Sequence, residues 1–170
     1  MKRPVKTIED AVEAIKKSSL DSSVYIGCDS IRYRKEGKWW IRYSTVVVVH
    51  KNSKNGGEIF SQNKHEREYS GPSRNKPTNG LHQRLMTEVS HALQVFDLVS
   101  PVLGERYFEI HLDINSNDLH ASNQVVKQAL GWVKGYPVDV NTGTLVGERA
   151  KIKPEAWAAT HCADHVVRNK

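Results

Sequence analysis

Residues 24–30, with the sequence VYIGCDS, decide how the chain can be organised. A run of β-branched and aromatic residues stops at Asp29, which predicts a strand over residues 24–28 with a carboxylate at its end. Because strand side chains alternate, Asp29 shares a face with Tyr25 and Gly27, while Cys28 lies on the opposite, apolar face. Asp followed by Ser is also ordinary turn chemistry, so this acid by itself could simply end the strand.

The next segments predict a hairpin meander built on that strand. The polar sequence KEGK, residues 35–38, predicts a turn, and WWIRYSTVVVVH, residues 39–50, is the strongest strand pattern in the chain. Its run of four valines indicates burial on both faces. Adjacent glycines at 56 and 57 predict a second turn, and residues 58–62 predict a short third strand.

Beyond residue 80 the patterns alternate between helix and strand. Their spacing predicts three helices, over residues 81–99, 118–133 and 153–168. It also predicts two strands, over residues 107–114 and 136–140. A further amphipathic helix, residues 7–18, precedes the first strand. A meander followed by strand–helix crossovers predicts an α/β (α+β) fold, in which helices flank a five-stranded mixed sheet. We expect one domain over residues 1–170, with residues 1–22 as an N-terminal helical extension.

Composition limits the classes of protein to which the chain can belong. The 170 residues carry 25 Lys and Arg against 19 Asp and Glu, a formal net charge of +6, and 38% are hydrophobic. No apolar run approaches the roughly 18 residues of a membrane span, and the charged N-terminus is unlike a signal peptide. The two cysteines, Cys28 and Cys162, argue against a disulfide framework. We therefore expect a cytoplasmic protein with no membrane association, whose charge serves solubility or a polyanionic partner.

Residues 63–80 are rich in Gly, Pro, Asn and basic side chains, and they predict a long, mobile basic loop. Basic residues of this loop and of the hairpin could bind the phosphates of nucleic acid; these weak candidates are Arg32, Arg34, Lys64, Arg67, Arg74 and Lys76. The interleaved aromatic residues could stack on bases; they are Tyr33, Trp39, Trp40 and Tyr69. A solvated surface explains the same composition, so both alternatives stay open.

Glu88 lies where the helix over residues 81–99 should be turning inward. At the angular spacing of a helix it falls at the edge of the buried stripe, beside Leu85 and Ala92. A charge there costs free energy unless it is paired or binds a metal. A salt bridge to Arg84 or to another basic residue is the structural alternative.

Asp113 and Asp164 are equally ambiguous when each is taken alone. Asp113 lies near the end of the strand over residues 107–114, on the face of His111, and it could cap the following loop. Asp164 lies at the margin of the small-residue face of the last helix, which lets that helix approach the sheet closely. It could also be a surface acid paired with Arg168 one turn later.

Together, the four acids predict one site, provided that the first and fourth strands are neighbours. Asp29, Glu88, Asp113 and Asp164 would then form a cluster that repels itself unless divalent cations fill it. Hard oxygen ligands favour Mg²⁺ or Mn²⁺ over zinc. Two such ions about 4 Å apart would activate a water and stabilise the leaving oxygen of a phosphodiester.

Three short motifs add a family resemblance. YIGCDS, residues 25–30, resembles the first-strand motif of the YkuK-like family of bacterial and phage proteins. IHLDI, residues 110–114, is similar to that family's H-x-D-I. KPEAWAA and the later AD, residues 153–159 and 163–164, resemble its closing motif. The resemblance covers roughly residues 24–167.

The resemblance implies a ribonuclease H-like fold and a metal-dependent nuclease. The acids of the family map to Asp29, Glu88, Asp113 and Asp164, which the resemblance implies are both catalytic and metal-binding. Glu66 and Glu68 are alternatives to Glu88, although they fall in the basic loop. Fold-level likeness by itself does not identify a substrate.

Three residues beside these acids are weaker candidates for contact with the substrate or support of the site: Ser30, His111 and Lys153. His111 would either orient a metal-bound carboxylate or be a hydrogen-bonded core histidine. Lys153 would contact a phosphate or be an ordinary loop lysine. The sequence HCADH, residues 161–165, invites a zinc site, but the absence of a second Cys pair in the chain argues against it.

The leading interpretation is a Mg²⁺- or Mn²⁺-dependent nuclease acting on nucleic acid. The alternative is a ribonuclease H-like nucleic-acid-binding, regulatory or interaction module with little or no turnover. The sequence leaves open whether DNA, RNA or a hybrid is bound, and whether the protein forms a homodimer.

Overall fold

The described strands form a mixed sheet of five and a separate pair. The computed structural model describes residues 6–68, 77–114, 123–139, 144–146, 149–152 and 155–168. The strands are β1 (Ser23–Lys35), β2 (Lys38–His50), β3 (Gly57–Arg67), β4 (Tyr107–His111), β5 (Pro137–Asp139), β6 (Thr144–Leu145) and β7 (Ala150–Lys151). The helices are α1 (Ile8–Lys17), α2 (Pro77–Leu103), α3 (Asn123–Lys134) and, after a π-helical segment (Ala158–Ala163), α4 (Asp164–Arg168). The order in the larger sheet is β3-β2-β1-β4-β7, and β5 pairs with β6. This arrangement confirms the predicted mixed sheet flanked by helices.

A two-residue turn fixes the register of β1 and β2. Lys35 lies opposite Lys38, and the turn residues Glu36 and Gly37 have φ angles of 52° and 74°. Two consecutive positive φ values match the right-handed twist of the flanking strands, and glycine adopts such a value without steric cost. The predicted turn over residues 35–38 is therefore confirmed.

β1 is longer than its sequence pattern predicts. It pairs with β2 along its whole length but with β4 only from Ser23 to Gly27. The prediction that the strand ends at Asp29 is wrong, because the antiparallel partner β2 continues to supply hydrogen bonds after the pairing with β4 has stopped. Asp29 thus lies within β1, two residues after Gly27, where the pairing with β4 ends.

Helices cover both faces of the sheet. Val24, Ile26 and Cys28 of β1 point into one apolar core with α1, α2 and α3, whose buried residues include Ile15, Phe96 and Val133. On the other face the Tyr25 ring packs against that of Trp157, with centroids 4.7 Å apart, next to the π-helical segment. None of the helices in the described ranges is long and apolar enough to cross a membrane.

α1 forms as its sequence predicts. A capping box begins it: Thr7 Oγ1 accepts a hydrogen bond from the Asp10 N–H (3.2 Å), and the Asp10 carboxylate accepts one from the Thr7 N–H (2.8 Å). Each side chain satisfies a backbone donor that a helix end would otherwise leave without a partner. Ile8, Ala11 and Ile15 are buried, which places the predicted apolar face against the core.

The fifth strand of the sheet is not the predicted one. Residues 136–140 do contain a strand, β5, but it pairs with β6 in the separate two-stranded sheet. The fifth strand is β7, which runs parallel to β4 with Ala150 opposite Ile110. Pro137 begins β5 without an N–H to donate, which suits a short peripheral strand, and two residues are too few for β7 to give a recognisable pattern.

The predicted basic loop over residues 63–80 is also shorter than expected. β3 continues to Arg67 because β2 pairs with it as far as Trp40, and its last residues carry the charged side chains that protect edge strands. α2 begins at Pro77, so the first and last residues of the predicted loop belong to β3 and to α2. Residues 69–76 lie outside the described residues.

α2 continues past the expected stop at residue 100. Pro101 lies inside its last turn and cannot donate to the carbonyl of Asp97. Ser100 Oγ donates to that carbonyl instead (3.4 Å). α3 begins at Asn123 and ends at Lys134; the predicted start, residues 118–122, lies outside the described residues, as do Lys153 and Pro154 of the last predicted helix.

Two glycine substitutions should change stability in opposite directions. Gly37→Ala forces an L side chain into a positive-φ position of the turn, so we expect it to lower the free energy of unfolding by about 1 kcal/mol. Gly131 is exposed within α3, and a Cβ there would meet no atom within 4 Å. Gly131→Ala should therefore raise the free energy of unfolding by up to about 1 kcal/mol. Urea unfolding curves measure both, and effects of the same sign would contradict the assigned turn or helix.

Candidate functional site

Asp29 of β1 meets Asp113, which lies two residues past the end of β4, because β4 ends at His111 and not at the predicted residue 114. The last parallel pair of β1 and β4 joins Gly27 to His111, and each aspartate follows two residues later on the same face. Both side chains are half-buried, and they share a hydrogen bond. The predicted neighbourhood of the first and fourth strands is thus present, with these two acids in contact.

Burial and charge raise the pKa of Asp29 to about 6. Loss of hydration has the largest effect, and the negative charge of Asp113 comes next. The N–H of Ser30 donates to Asp29 Oδ1 (2.8 Å), which acts in the opposite direction by stabilising the carboxylate. The charge of Asp164 raises the pKa further, so this third acid lies within electrostatic reach.

Glu88 approaches the pair from the other face of the sheet. It lies on α2, as the helical spacing predicts, and with Asp113 it lines a small gap beside Cys28. Burial raises its pKa to about 8, and the charges of Asp29 and Asp113 add to the effect. At neutral pH the metal-free site therefore favours a protonated Glu88.

A serine and an arginine hold Glu88 in place. Ser30 Oγ donates to Glu88 Oε1 (2.5 Å), and Arg84 donates to that hydroxyl from Nε (3.2 Å) and Nη2 (2.9 Å). Arg84 Nη2 also donates to the Ser30 carbonyl (3.1 Å). Arg84 therefore acts on Glu88 through Ser30, where the sequence suggests a direct salt bridge one helical turn apart. Ser30, a weak candidate from the sequence, is hydrogen-bonded to Glu88 at the site. The hydrogen bonds between Arg84 and Ser30 have no signal in the sequence that could have predicted them.

Asp164 lies at the start of α4, on the face that Asp29 occupies. Ala156, Ala158 and Ala163 are fully buried, so the helix packs closely on the sheet, as its small residues predict. Asp164 accepts a hydrogen bond from Arg168 Nε, the pairing that the sequence offers as its structural alternative. Its charge nevertheless contributes to the raised pKa of Asp29, which places it within electrostatic reach of that acid.

His111 anchors the last helix to the sheet. Its buried ring accepts a hydrogen bond from the Ala158 N–H at Nδ1 (3.0 Å), so Nε2 carries the proton and donates to Glu109 Oε2 (2.7 Å). Burial lowers its pKa and keeps the ring neutral. The ring also packs edge-on against Trp157, with centroids 5.4 Å apart. These contacts are those of a hydrogen-bonded core histidine, one of the two alternatives from the sequence.

Most of the described basic candidates point away from Asp29. Arg32, Arg34 and Lys64 lie on the face of the sheet that α2 covers, and Arg67 lies on the Asp29 face. Arg32 binds Glu68 (2.7 Å) and stacks on Trp39, with its guanidinium 4.7 Å from the ring centroid. Lys64 donates to Gln94 (3.1 Å). Lys153, Arg74 and Lys76 lie outside the described residues.

The two acids considered as alternatives to Glu88 have other partners. Glu66 is within 3.2 Å of His91 on α2, and Glu68 pairs with Arg32. Glu88 therefore remains the candidate from this region, because the charges of Asp29 and Asp113 contribute to its raised pKa.

The donor set suits a hard cation, although its ligands are not gathered around one point. Within the described ranges, no three His, Cys, Asp or Glu side chains are grouped so as to hold a metal ion. Asp29 and Asp113 are together, while Glu88 is turned to Ser30 and Asp164 to Arg168. The carboxylate chemistry of the pair fits Mg²⁺ or Mn²⁺, and nothing in the described part of residues 161–165 assembles a zinc site.

Comparison with known protein families agrees with this geometry. A family model described as ribonuclease H-like matches residues 5–168, nearly the whole chain. The chain belongs to the ribonuclease H-like family. The resemblance carried by the three motifs is thereby confirmed. The ribonuclease H-like assignment supports a nucleic-acid-related fold, and no curated protein and no solved structure matches the chain.

Neutral substitutes for the clustered acids should stabilise the metal-free protein at alkaline pH. The folded-state pKa of Glu88 is raised from 4.5 to about 8, so ionisation opposes folding increasingly between these two pH values. Below pH 4.5 both states are protonated and the effect vanishes. We expect Glu88→Gln to raise the free energy of unfolding by about 2 kcal/mol at pH 9 and by much less at pH 5.

Asp29→Asn should behave similarly over a lower range, because the Asp29 pKa is raised only from 3.8 to about 6. After allowance for solvent screening we expect about 1 kcal/mol at pH 8. Asp21→Asn, at an exposed loop acid, is the matched control and should change stability little at any pH. Denaturation midpoints measured in EDTA across pH 4–9 provide the comparison. Destabilisation by both site variants at alkaline pH would contradict the electrostatic description.

Proposed function

We propose that the protein is a divalent-metal-dependent nuclease that hydrolyses phosphodiester bonds in nucleic acid by a two-metal mechanism. The observation that carries the proposal is the contact between Asp29 of β1 and Asp113, each two residues beyond the last parallel pair of β1 and β4, in a ribonuclease H-like fold. Glu88 on α2 and Asp164 on α4 lie within electrostatic reach of this pair, on opposite faces of the sheet.

The electrostatics of the pair support a cationic ligand. Burial raises the pKa of Asp29, and the repulsion between two half-buried carboxylates in contact raises it further. A divalent cation would offset that repulsion, and oxygen donors select Mg²⁺ or Mn²⁺. We assign Asp29 and Asp113 as the principal ligands, with Glu88 and Asp164 completing the set.

Each residue of the cluster then has a defined task. When bound, the ions would supply an activated water and stabilise charge on the leaving oxygen. Asp29 and Asp113 fix where that chemistry occurs, because β1 and β4 are rigid elements of the sheet. Ser30 and Arg84 hold the Glu88 carboxyl beside the pair, and Arg168 holds the Asp164 carboxyl. Either carboxyl would exchange these hydrogen bonds for the metal when it binds as a ligand.

One observation favours the alternative of a nucleic-acid-binding or regulatory module with little turnover. Glu88 and Asp164 already have hydrogen-bond partners within the protein, and the described residues offer no ready three-ligand group. If those bonds persist when nucleic acid binds, the site would hold at most a weakly bound ion between Asp29 and Asp113.

A nuclease panel tests the proposed activity. Wild type should cleave at least one of single-stranded DNA, duplex DNA, RNA or RNA–DNA hybrid with Mg²⁺ or Mn²⁺, and EDTA should abolish cleavage. Asp29→Asn and Asp113→Asn should each reduce the rate by at least about a hundredfold, because each removes charge from the pair. The exposed-site control Asp21→Asn should retain the wild-type rate. Cleavage that survives Asp29→Asn would rule out the assigned site.

Metal binding can be measured without any turnover. Mn²⁺ at millimolar concentration should raise the melting temperature of wild type, since an ion that binds the folded state stabilises it by mass action. The shift should be lost in Asp29→Asn and Asp113→Asn but kept in Asp21→Asn. Equal shifts in all four proteins would indicate binding elsewhere and would contradict the ligand assignment.

A further inference from the structure

Beyond Asp29 the sheet carries a second polar surface on the same face. We call it the distal face; it is formed by Ile31, Tyr33, Trp40, Arg42, His65 and Arg67, which the registers of β1, β2 and β3 place side by side. Ser44 lies opposite Asp29, and Arg42 is the next residue of β2 on this face. Two residues of a strand span about 7 Å, so Arg42 follows the acidic pair directly.

Arg42 is a cation without a counter-ion in the described parts of the chain. Its side chain is half-buried, and its Nε atom is fully buried with no hydrogen-bond partner among the described residues. The charge also helps to lower the pKa of the neighbouring His65, after the larger effect of burial. A half-buried guanidinium group without a counter-ion is costly, and an oxyanion that contacts the accessible part of the side chain is the ligand that pairs with it best.

Two aromatic side chains lie one step further along. Tyr33 is opposite Trp40 across β1 and β2, and both residues are half-buried and not enclosed in the core. Tyr33 is held by a hydrogen bond between its hydroxyl and His65 Nδ1 (2.8 Å). Trp39, the adjacent residue on the opposite face, instead lies under the guanidinium groups of Arg32 and Arg34.

We propose that the distal face binds single-stranded nucleic acid leading away from the acidic pair, with a phosphate on Arg42 and bases stacked on Trp40 and Tyr33. The inference rests on the proposed function and names the form of its substrate. An accessible aromatic ring on a sheet can stack with an unpaired base, whereas the bases of a duplex are already stacked inside it. Arg67 extends the basic character of the surface toward the β3 edge.

Binding in EDTA tests this inference separately from catalysis. Fluorescein-labelled oligothymidylate and oligouridylate of about twelve nucleotides, and a duplex of the same length, are titrated with the full chain while anisotropy is recorded. The single strands should bind more tightly than the duplex. Arg42→Gln should weaken their binding about tenfold and reduce its salt dependence by about one phosphate contact. Trp40→Ala should weaken it about five- to hundredfold.

Controls on the other face of the same strands make the test specific. Trp39→Ala and Arg34→Gln remove the same side-chain types from the opposite surface and should change affinity less than twofold. Trp40→Phe keeps an aromatic ring and should retain most of the affinity, which separates stacking from any loss of folding in Trp40→Ala. Wild-type affinity in both Arg42→Gln and Trp40→Ala would overturn the inference. Losses in the controls as large as those in these two variants, preference for the duplex, or no binding would each overturn it as well.

The two proposals can fail independently. If wild type binds single strands through Arg42 and Trp40 but cleaves none of the substrates in the nuclease panel, the proposed function fails and the distal face stands. If wild type cleaves and the Arg42 and Trp40 variants bind as tightly as it does, the nuclease stands and the distal face fails.

Discussion

The short parallel pairing of β1 with β4 is the constraint on which the site depends. It covers five residues of each strand and ends at Gly27 and His111. Asp29 and Asp113 each follow two residues after that last pair. A slip of one residue would move one acid to the opposite face of the sheet, because side chains alternate. The register is protected from both sides, by the core under Ile26 and Ile110 and by the helix packed on Tyr25 and His111.

The acidic cluster imposes a cost that the surrounding structure offsets. Burial and mutual repulsion disfavour the ionised forms of Asp29 and Glu88. The apolar core and the neighbouring hydrogen-bond donors provide the stabilisation that offsets this cost. The Ser30 backbone N–H supports one carboxylate and the Ser30 hydroxyl supports the other, so one residue of β1 serves both faces of the sheet. Arg84 in turn fixes that hydroxyl from α2. A fold that maintains such a cluster without its counter-ion gives up stability at a local point, as binding and catalytic sites commonly do.

Much of this arrangement could be predicted from the sequence, because periodicity reports which face a side chain occupies. It placed Asp29 opposite Cys28 and Glu88 beside the buried stripe of α2, and both assignments agree with the structure. The length of β1 could not be predicted, since Asp29 and Ser30 are turn-forming residues and only the pairing with β2 keeps them extended. β7 is too short for any pattern, and the last residues of β3 read as a loop because an edge strand carries charge.

Arginines were the residues that the sequence could not assign. Whether an arginine is paired, stacked or alone depends on which distant strand lies beside it, and composition treats them all as surface charge. Arg32 and Arg34, near the turn, share the Trp39 ring, whereas Arg84 binds Ser30, and the buried Nε of Arg42 has no partner in the part of the chain that the structure describes. The signal that could have distinguished Arg42 is its place in an alternating strand, on the face of Asp29.

The tight turn between β1 and β2 also bears on the order in which the molecule assembles. Contacts between residues close in sequence form quickly, whereas the pairing of β1 with β4 must close a long loop that contains β2, β3 and α2. We expect the hairpin to be organised early and the parallel pairing to be among the last steps of folding. Asp29 and Asp113 would then meet only when the chain is essentially native. A nascent or partly folded chain would carry every acid of the cluster and yet have no site.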